Sequence, residues 1–181
     1  MSIKNYNEIE KETVIEIAKK MAIAAKTAPK ARGIDNLVIQ IVTDESIEKI
    51  AEVMHQQADS HNVGFFHRDA ENILQASAML LIGTRYEPIG LNYCGLCGFG
   101  NCENKRKHPE APCAFNTGDM GIAVGSAVSI AADNRIDNRI MYTIGMAVKE
   151  LGIMGEDIKI VYGIPLSASN KNPFFDRKPH K

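Results

Sequence analysis

Ala78-Met79-Leu80-Leu81-Ile82-Gly83 is an unbroken run of apolar and small residues. It is short for a helix, and an apolar run of this length reads as a strand buried on both faces. Before it, Ala70, Ile73, Leu74 and Ser77 recur at helical spacing, so a short helix between Arg68 and Ser77 leads in. After it comes a segment holding all four cysteines of the chain, Cys94, Cys97, Cys102 and Cys113.

Further out, the pattern repeats. Ile9, Val14, Ile17, Ala18, Met21, Ala24 and Ala25 recur mostly every three or four residues, predicting an amphipathic helix from Glu8 to Ala25 that stops before Pro29. Asn36 to Thr43 is β-branched and reads as a strand. Asp44 is placed to cap the next helix, whose stripe is Ile47, Ile50, Ala51 and Met54, and which fades near His61-Asn62. Beyond the cysteines, Gly118 to Asp133 predicts a helix of small residues and Asp137 to Leu151 another, stopped by Gly152. Asp157 to Gly163 predicts a third strand, and from Pro165 onward the chain reads as a polar, basic tail. Helices interspersed with short strands indicate an α+β fold, one sheet with helices packed on it. A single domain is expected over residues 1–181, with residues 92–114 an insertion too small to enclose a core.

The 181 residues are 45% hydrophobic and 24% charged, the balance of a folded globular chain. A net charge of -1 supplies no field for gathering phosphates, which argues against nucleic acid as a partner. The polar start from Met1 to Asn7 lacks a secretory pattern, and the longest charge-free run, Gly121 to Ala132, is short of a membrane span. A cytoplasmic protein is expected. In that reducing compartment, clustered cysteines are metal ligands more often than disulfides.

The segment reads Cys94-Gly-Leu-Cys97-Gly-Phe-Gly-Asn-Cys102, with ten residues more before Cys113. Glycines beside cysteines let backbone amides turn toward sulfur and stabilise its negative charge. One C-x2-C pair followed by a third cysteine four residues on suits a [4Fe-4S] cubane better than zinc, whose structural sites usually pair two such knuckles. Zinc with four thiolates stays open as the alternative.

This stretch resembles the small iron-sulfur motif of bacterial electron-transport and corrinoid proteins, C-G-x-C-G-x3-C with a distant fourth cysteine. Over most of its length the chain resembles a family of ferredoxin-domain-containing proteins, in which the cysteine segment interrupts a fold similar to FMN-dependent nitroreductases. The resemblance implies that fold, a cluster on Cys94, Cys97, Cys102 and Cys113, a place for FMN, and a homodimer with sites at its interface. Thr27 to Asn36 resembles the nitroreductase loop A-P-S-x-x-N-x-Q-P-W, placing Lys30, Gly33 and Asp35 at its serine, asparagine and glutamine. Lys30 and Arg32 could hold a phosphate, Arg by its planar fork of donors and Lys as a point charge, and with Asp35 they are the candidate flavin contacts. Arg177, with Lys178, is the candidate for a second phosphate contact from the tail. The N-terminal Arg-x-Ser-x-Arg clamp of that fold is missing.

Lys105-Arg106-Lys107-His108 lies between the third and fourth cysteines, where a basic run could dock an acidic electron-donor protein. The small residues Gly118, Gly121, Gly125 and Ser126 permit close backbone approach. His55, His61, His67, His108 and His180 show no zinc-protease spacing, and His61 and His67 read as loop histidines flanking a Gly-Phe-Phe turn. Together these features lead to an expected redox protein, an oxidoreductase passing electrons from a cluster to a flavin or small substrate. A non-enzymatic carrier or sensor and a structural zinc protein are the alternatives.

Overall fold

The run around Leu80 forms strand β2 (Ala78–Thr84), and every residue in it is buried. The computed structural model describes residues 3–175. β1 (Leu37–Val42) and β4 (Ile160–Ser167) flank β2, and β3 (Asp137–Asn138) extends the sheet beyond β4, giving the order β1-β2-β4-β3 with every pairing antiparallel. Ile82 stands opposite Ile39 on one side and Tyr162 on the other.

Side chains alternate across a strand, so β2 sorts its residues into two cores. Ala78, Leu80 and Ile82 join one core with α1 (Tyr6–Thr27) and α5 (Ala114–Asp133). Met79 and Leu81 join the other with α2 (Glu45–His61), α3 (Phe65–Ile73) and α6 (Tyr142–Glu150). The result is a helix–sheet–helix sandwich, matching the α+β expectation. α6 packs tightly on β4. A Cβ on Gly145 would lie 1.8 Å from the Val161 carbonyl oxygen, and one on Gly163 would lie 2.3 Å from Ile144 Cγ2.

α1 begins in a capping box: Asn5 Oδ1 accepts the Glu8 amide at 3.0 Å and Glu8 Oε2 accepts the Asn5 amide at 3.1 Å. It buries Val14, Ile17, Ala18, Met21 and Ala25 and ends at Ala28, before Pro29 as expected. Among the described residues, no helix is long and apolar enough to cross a membrane.

Several boundaries differ from the reading above. Asp44 does occupy the N-cap of α2 but makes no side-chain cap bond: its φ of 49° turns the carboxylate away, to Lys11 Nζ at 2.6 Å. α3 begins at Phe65, so the Gly-Phe-Phe stretch opens a helix and His67 sits on that helix. α5 begins four residues before Gly118. The stretch expected as one helix over 137–151 is split, with Asp137 and Asn138 in β3 and the helix starting at Tyr142. The third strand starts at Ile160 and runs to Ser167, so Pro165 and Leu166 belong to the sheet and not to a tail.

Candidate metal centre and adjoining cleft

Past Thr84 the chain leaves the sheet and crosses the ends of α1 and α5 before entering α5. A 3-10 turn at Ala31–Gly33 fastens it: Arg32 Nη1 donates to the carbonyls of Ile89 at 3.0 Å and Gly90 at 2.7 Å. Gly95 and Gly98 close a turn through a 2.9 Å backbone bond. Gly98 and Gly100 have φ of 87° and 77°, where a side chain is strained, and a Cβ on Gly95 would lie 3.2 Å from the Gly100 carbonyl oxygen. The glycines between the cysteines therefore let the loop fold back on itself.

Asn101 caps the short helix α4 (Cys102–Arg106) by accepting the Asn104 amide at 2.8 Å, which sets Cys102 in the first turn. Cys113 is the N-cap of α5. Cys113 is buried and the other three cysteines are half-buried; none forms a disulfide. All four line one recess, together with Lys105 and Phe115. Among the described residues, no three His, Cys, Asp or Glu side chains are already gathered closely enough to hold an ion. The four cysteines share this recess without forming a preformed cage.

Lys105 departs from the sequence reading. It was expected on a basic docking face, yet it is 1% exposed, its Nζ donating to the Tyr86 carbonyl at 2.7 Å. Arg106 and Lys107 remain on the outer side of the loop, and Arg106 lines a groove of about 650 Å³ with Arg85, Tyr86 and Lys159. Burial pushes the Tyr86 phenol up from its usual range. One turn into α5, Asn116 is 1% exposed and neither end of its amide has a hydrogen-bond partner.

An open cleft adjoins the recess, walled by Pro29, Ala31, Leu96, Phe115, Asp119 and Ile122. Ala114 and Phe115 line both spaces. The cleft wall is held by Asp119, whose two carboxylate oxygens accept the Ala31 amide at 3.1 and 3.0 Å.

Of the candidate flavin contacts, Lys30 lines this cleft, and Lys30, Arg32 and Asp35 each bond within the chain. Lys30 Nζ donates to the last carbonyls of α1, Lys26 at 2.6 Å, Ala28 at 2.7 Å and Ala25 at 3.2 Å. Arg32 holds Ile89 and Gly90 as above. Asp35 accepts from Leu37 N at 3.0 Å and pairs with Lys26. Burial pushes the Asp35 carboxyl up, but Lys26 and the Leu37 amide outweigh it and leave it below its ordinary value. Arg177 lies outside the described residues.

Sequence reasoning missed Asp119 as a loop anchor and Lys105 as a lining residue. It also missed the pairing of His55 and His67 across α2 and α3, with Nδ1 atoms 2.8 Å apart and Nε2 atoms facing Glu71 and Asp59.

A family profile described as "uncharacterized protein containing a ferredoxin domain" matches residues 110–177. An uncharacterized protein of Archaeoglobus fulgidus is 42% identical over 185 residues, covering 98% of each chain. Among solved structures, a BluB-like flavoprotein from Clostridium difficile 630 covers all of this chain at 16% identity and a TM-score of 0.60, with 86% of its own length matched. An oxidoreductase containing FMN matches 86% of this chain and 67% of its own at 16% identity, with a TM-score of 0.58. Nitroreductase A from Vibrio parahaemolyticus matches 91% of this chain at 16% identity and a TM-score of 0.55, but this chain spans only 62% of its length. At these identities the structural matches establish the nitroreductase-like fold.

Proposed function

The chain belongs to the family of uncharacterized proteins containing a ferredoxin domain, and on that premise we propose that it is an iron-sulfur redox protein with an acceptor site beside the cluster. Cys94, Cys97, Cys102 and Cys113 would hold a [4Fe-4S] cluster, which supplies one-electron transfer when bound. The donor set supports this: four thiols in one recess, one at a helix N-terminus, joined by glycine turns that permit close approach. The acceptor is a planar molecule, FMN or a small organic substrate, seated in the neighbouring cleft. The supporting observation is that Ala114 and Phe115 line both the cysteine recess and the cleft, which puts the two spaces side by side at the start of α5.

The protein's own part in this chemistry is positional. Arg32 fastens the cysteine segment to the cleft loop, Asp119 holds that loop to α5, and Leu96, Phe115 and Ile122 offer an apolar wall against a flat ring. The fit for FMN is incomplete, because Lys30 and Asp35 spend their polar atoms within the chain and Arg32 commits Nη1 there. That observation favours a second reading, a cluster-bearing carrier or sensor without flavin. The surface around Arg106 and Lys107 would then receive an acidic electron-donor protein. The homodimer and cytoplasmic location expected from the sequence belong to the same proposal.

Titration of FMN into anaerobic protein separates the two. Stoichiometric quenching of flavin fluorescence, weakened by Phe115→Ala, supports the acceptor site. Absence of quenching with an intact cluster selects the carrier.

A further inference from the structure

Lys105 is among the largest fully buried side chains in the described structure, in company that is otherwise apolar. It sits on α4 three residues after Cys102, so helical spacing turns both side chains toward the same side. An ammonium has three donors. One goes to the Tyr86 carbonyl, and the ring of that tyrosine lies 5.9 Å from Nζ. No carboxylate pairs with Lys105 among the described residues. A buried cation without a counter-charge is costly, and breaking such a pair by removing its partner is among the more destabilising changes known. The anions that could offset it are the thiolates, since the recess it lines is shared by all four cysteines.

We propose that Lys105 is the built-in counter-charge of the cysteine centre, compensating the thiolates and the cluster they hold and thereby easing its reduction. This rests on the iron-sulfur reading above and adds to it a residue outside the ligand set. A cluster with four thiolates carries net negative charge, and one added electron makes it more negative. No bond forms or breaks in that step; the electron comes from the external reductant. A fixed positive charge in a poorly solvated recess favours the more negative state, so its removal disfavours reduction.

The test uses the full chain, purified anaerobically as wild type, Lys105→Met and Lys105→Arg. Methionine keeps an apolar stem and removes the charge, while arginine keeps the charge. Each is titrated with dithionite through redox mediators and followed by the low-temperature paramagnetic signal of the reduced cluster. The expected result is that Lys105→Met lowers the equilibrium constant for one-electron reduction at least tenfold, a fall in midpoint of about 59 mV. Lys105→Arg is expected to stay within about threefold of wild type. An unchanged midpoint in Lys105→Met overturns the proposal. Should Lys105→Met fail to keep its iron, retention by Lys105→Arg at an unchanged circular-dichroism spectrum supports the need for charge. Loss from both variants overturns it, because shape and not charge would then be at stake. Wild-type protein lacking iron and sulfide is a separate failure, that of the cluster reading, and is seen before any variant is made.

Discussion

The carboxylate of Asp119 on α5 accepts the backbone amide of Ala31 with both oxygens, at 3.1 and 3.0 Å, and so ties the turn after α1 to the helix that begins at Cys113. Removing it leaves a partly buried amide without a partner. Asp119→Ala is expected to cost about 1.5–3 kcal/mol in urea unfolding, the range for hydrogen bonds to charged groups. It should also widen the cleft and weaken any flavin quenching. Unchanged stability and quenching would show the anchor to be dispensable.

Arg32 makes the complementary tether, to Ile89 and Gly90. Arg32→Ala should leave helix content intact while the segment before Cys94 loosens. The measurement is the decay of cluster absorbance on exposure to air, expected to be several-fold faster than in wild type.

Two helical glycines should respond oppositely to alanine. A Cβ at Gly145 meets the Val161 carbonyl oxygen at 1.8 Å, so α6 must retreat from β4. Gly145→Ala should destabilise by about 1–3 kcal/mol, as overpacking does. Nothing lies within 4 Å of a Cβ at Gly121 in α5. Gly121→Ala should be neutral or stabilise by up to about 1 kcal/mol, from helix propensity alone. Should α5 face a second copy of the chain, Gly121→Ala would instead weaken association, which sedimentation would reveal.

The Asp35 carboxyl is depressed below its ordinary value of 3.8 by Lys26 and the Leu37 amide, against burial, which raises it. Its folded pKa lies below its unfolded one, so its stabilising contribution is complete above pH 3.8 and is lost as pH falls through the depressed value. Asp157, depressed by its hydrogen bond to Arg85, follows the same sign. Stability should therefore be insensitive to these groups near neutral pH and fall in acid. Asp35→Asn should flatten part of that acid limb, and salt should weaken both pairs.

The central strand was legible because burial on both faces leaves no polar residue to blur the pattern, and the cysteines were legible because their spacing fills one stretch of chain. β3 was not, since two polar residues, Asp137 and Asn138, carry no periodicity and pair only because β4 passes beside them. Pro165 hid the end of β4, because a residue without an amide reads as a strand breaker. Asp44 has the right chemistry for a cap, but its positive φ is set by the turn and not by its identity. Lys105 looked like one charge in a solvated run. The available signal was its position three residues from Cys102, which on a helix puts both on one side and separates it from Arg106 and Lys107.

The most direct test is the metal and sulfide content of anaerobically purified protein. About four iron and four acid-labile sulfide per chain, with charge-transfer absorption lost in Cys97→Ser, is the expected result. Stoichiometric zinc without iron or sulfide would contradict the redox centre and leave Cys94, Cys97, Cys102 and Cys113 as a structural site.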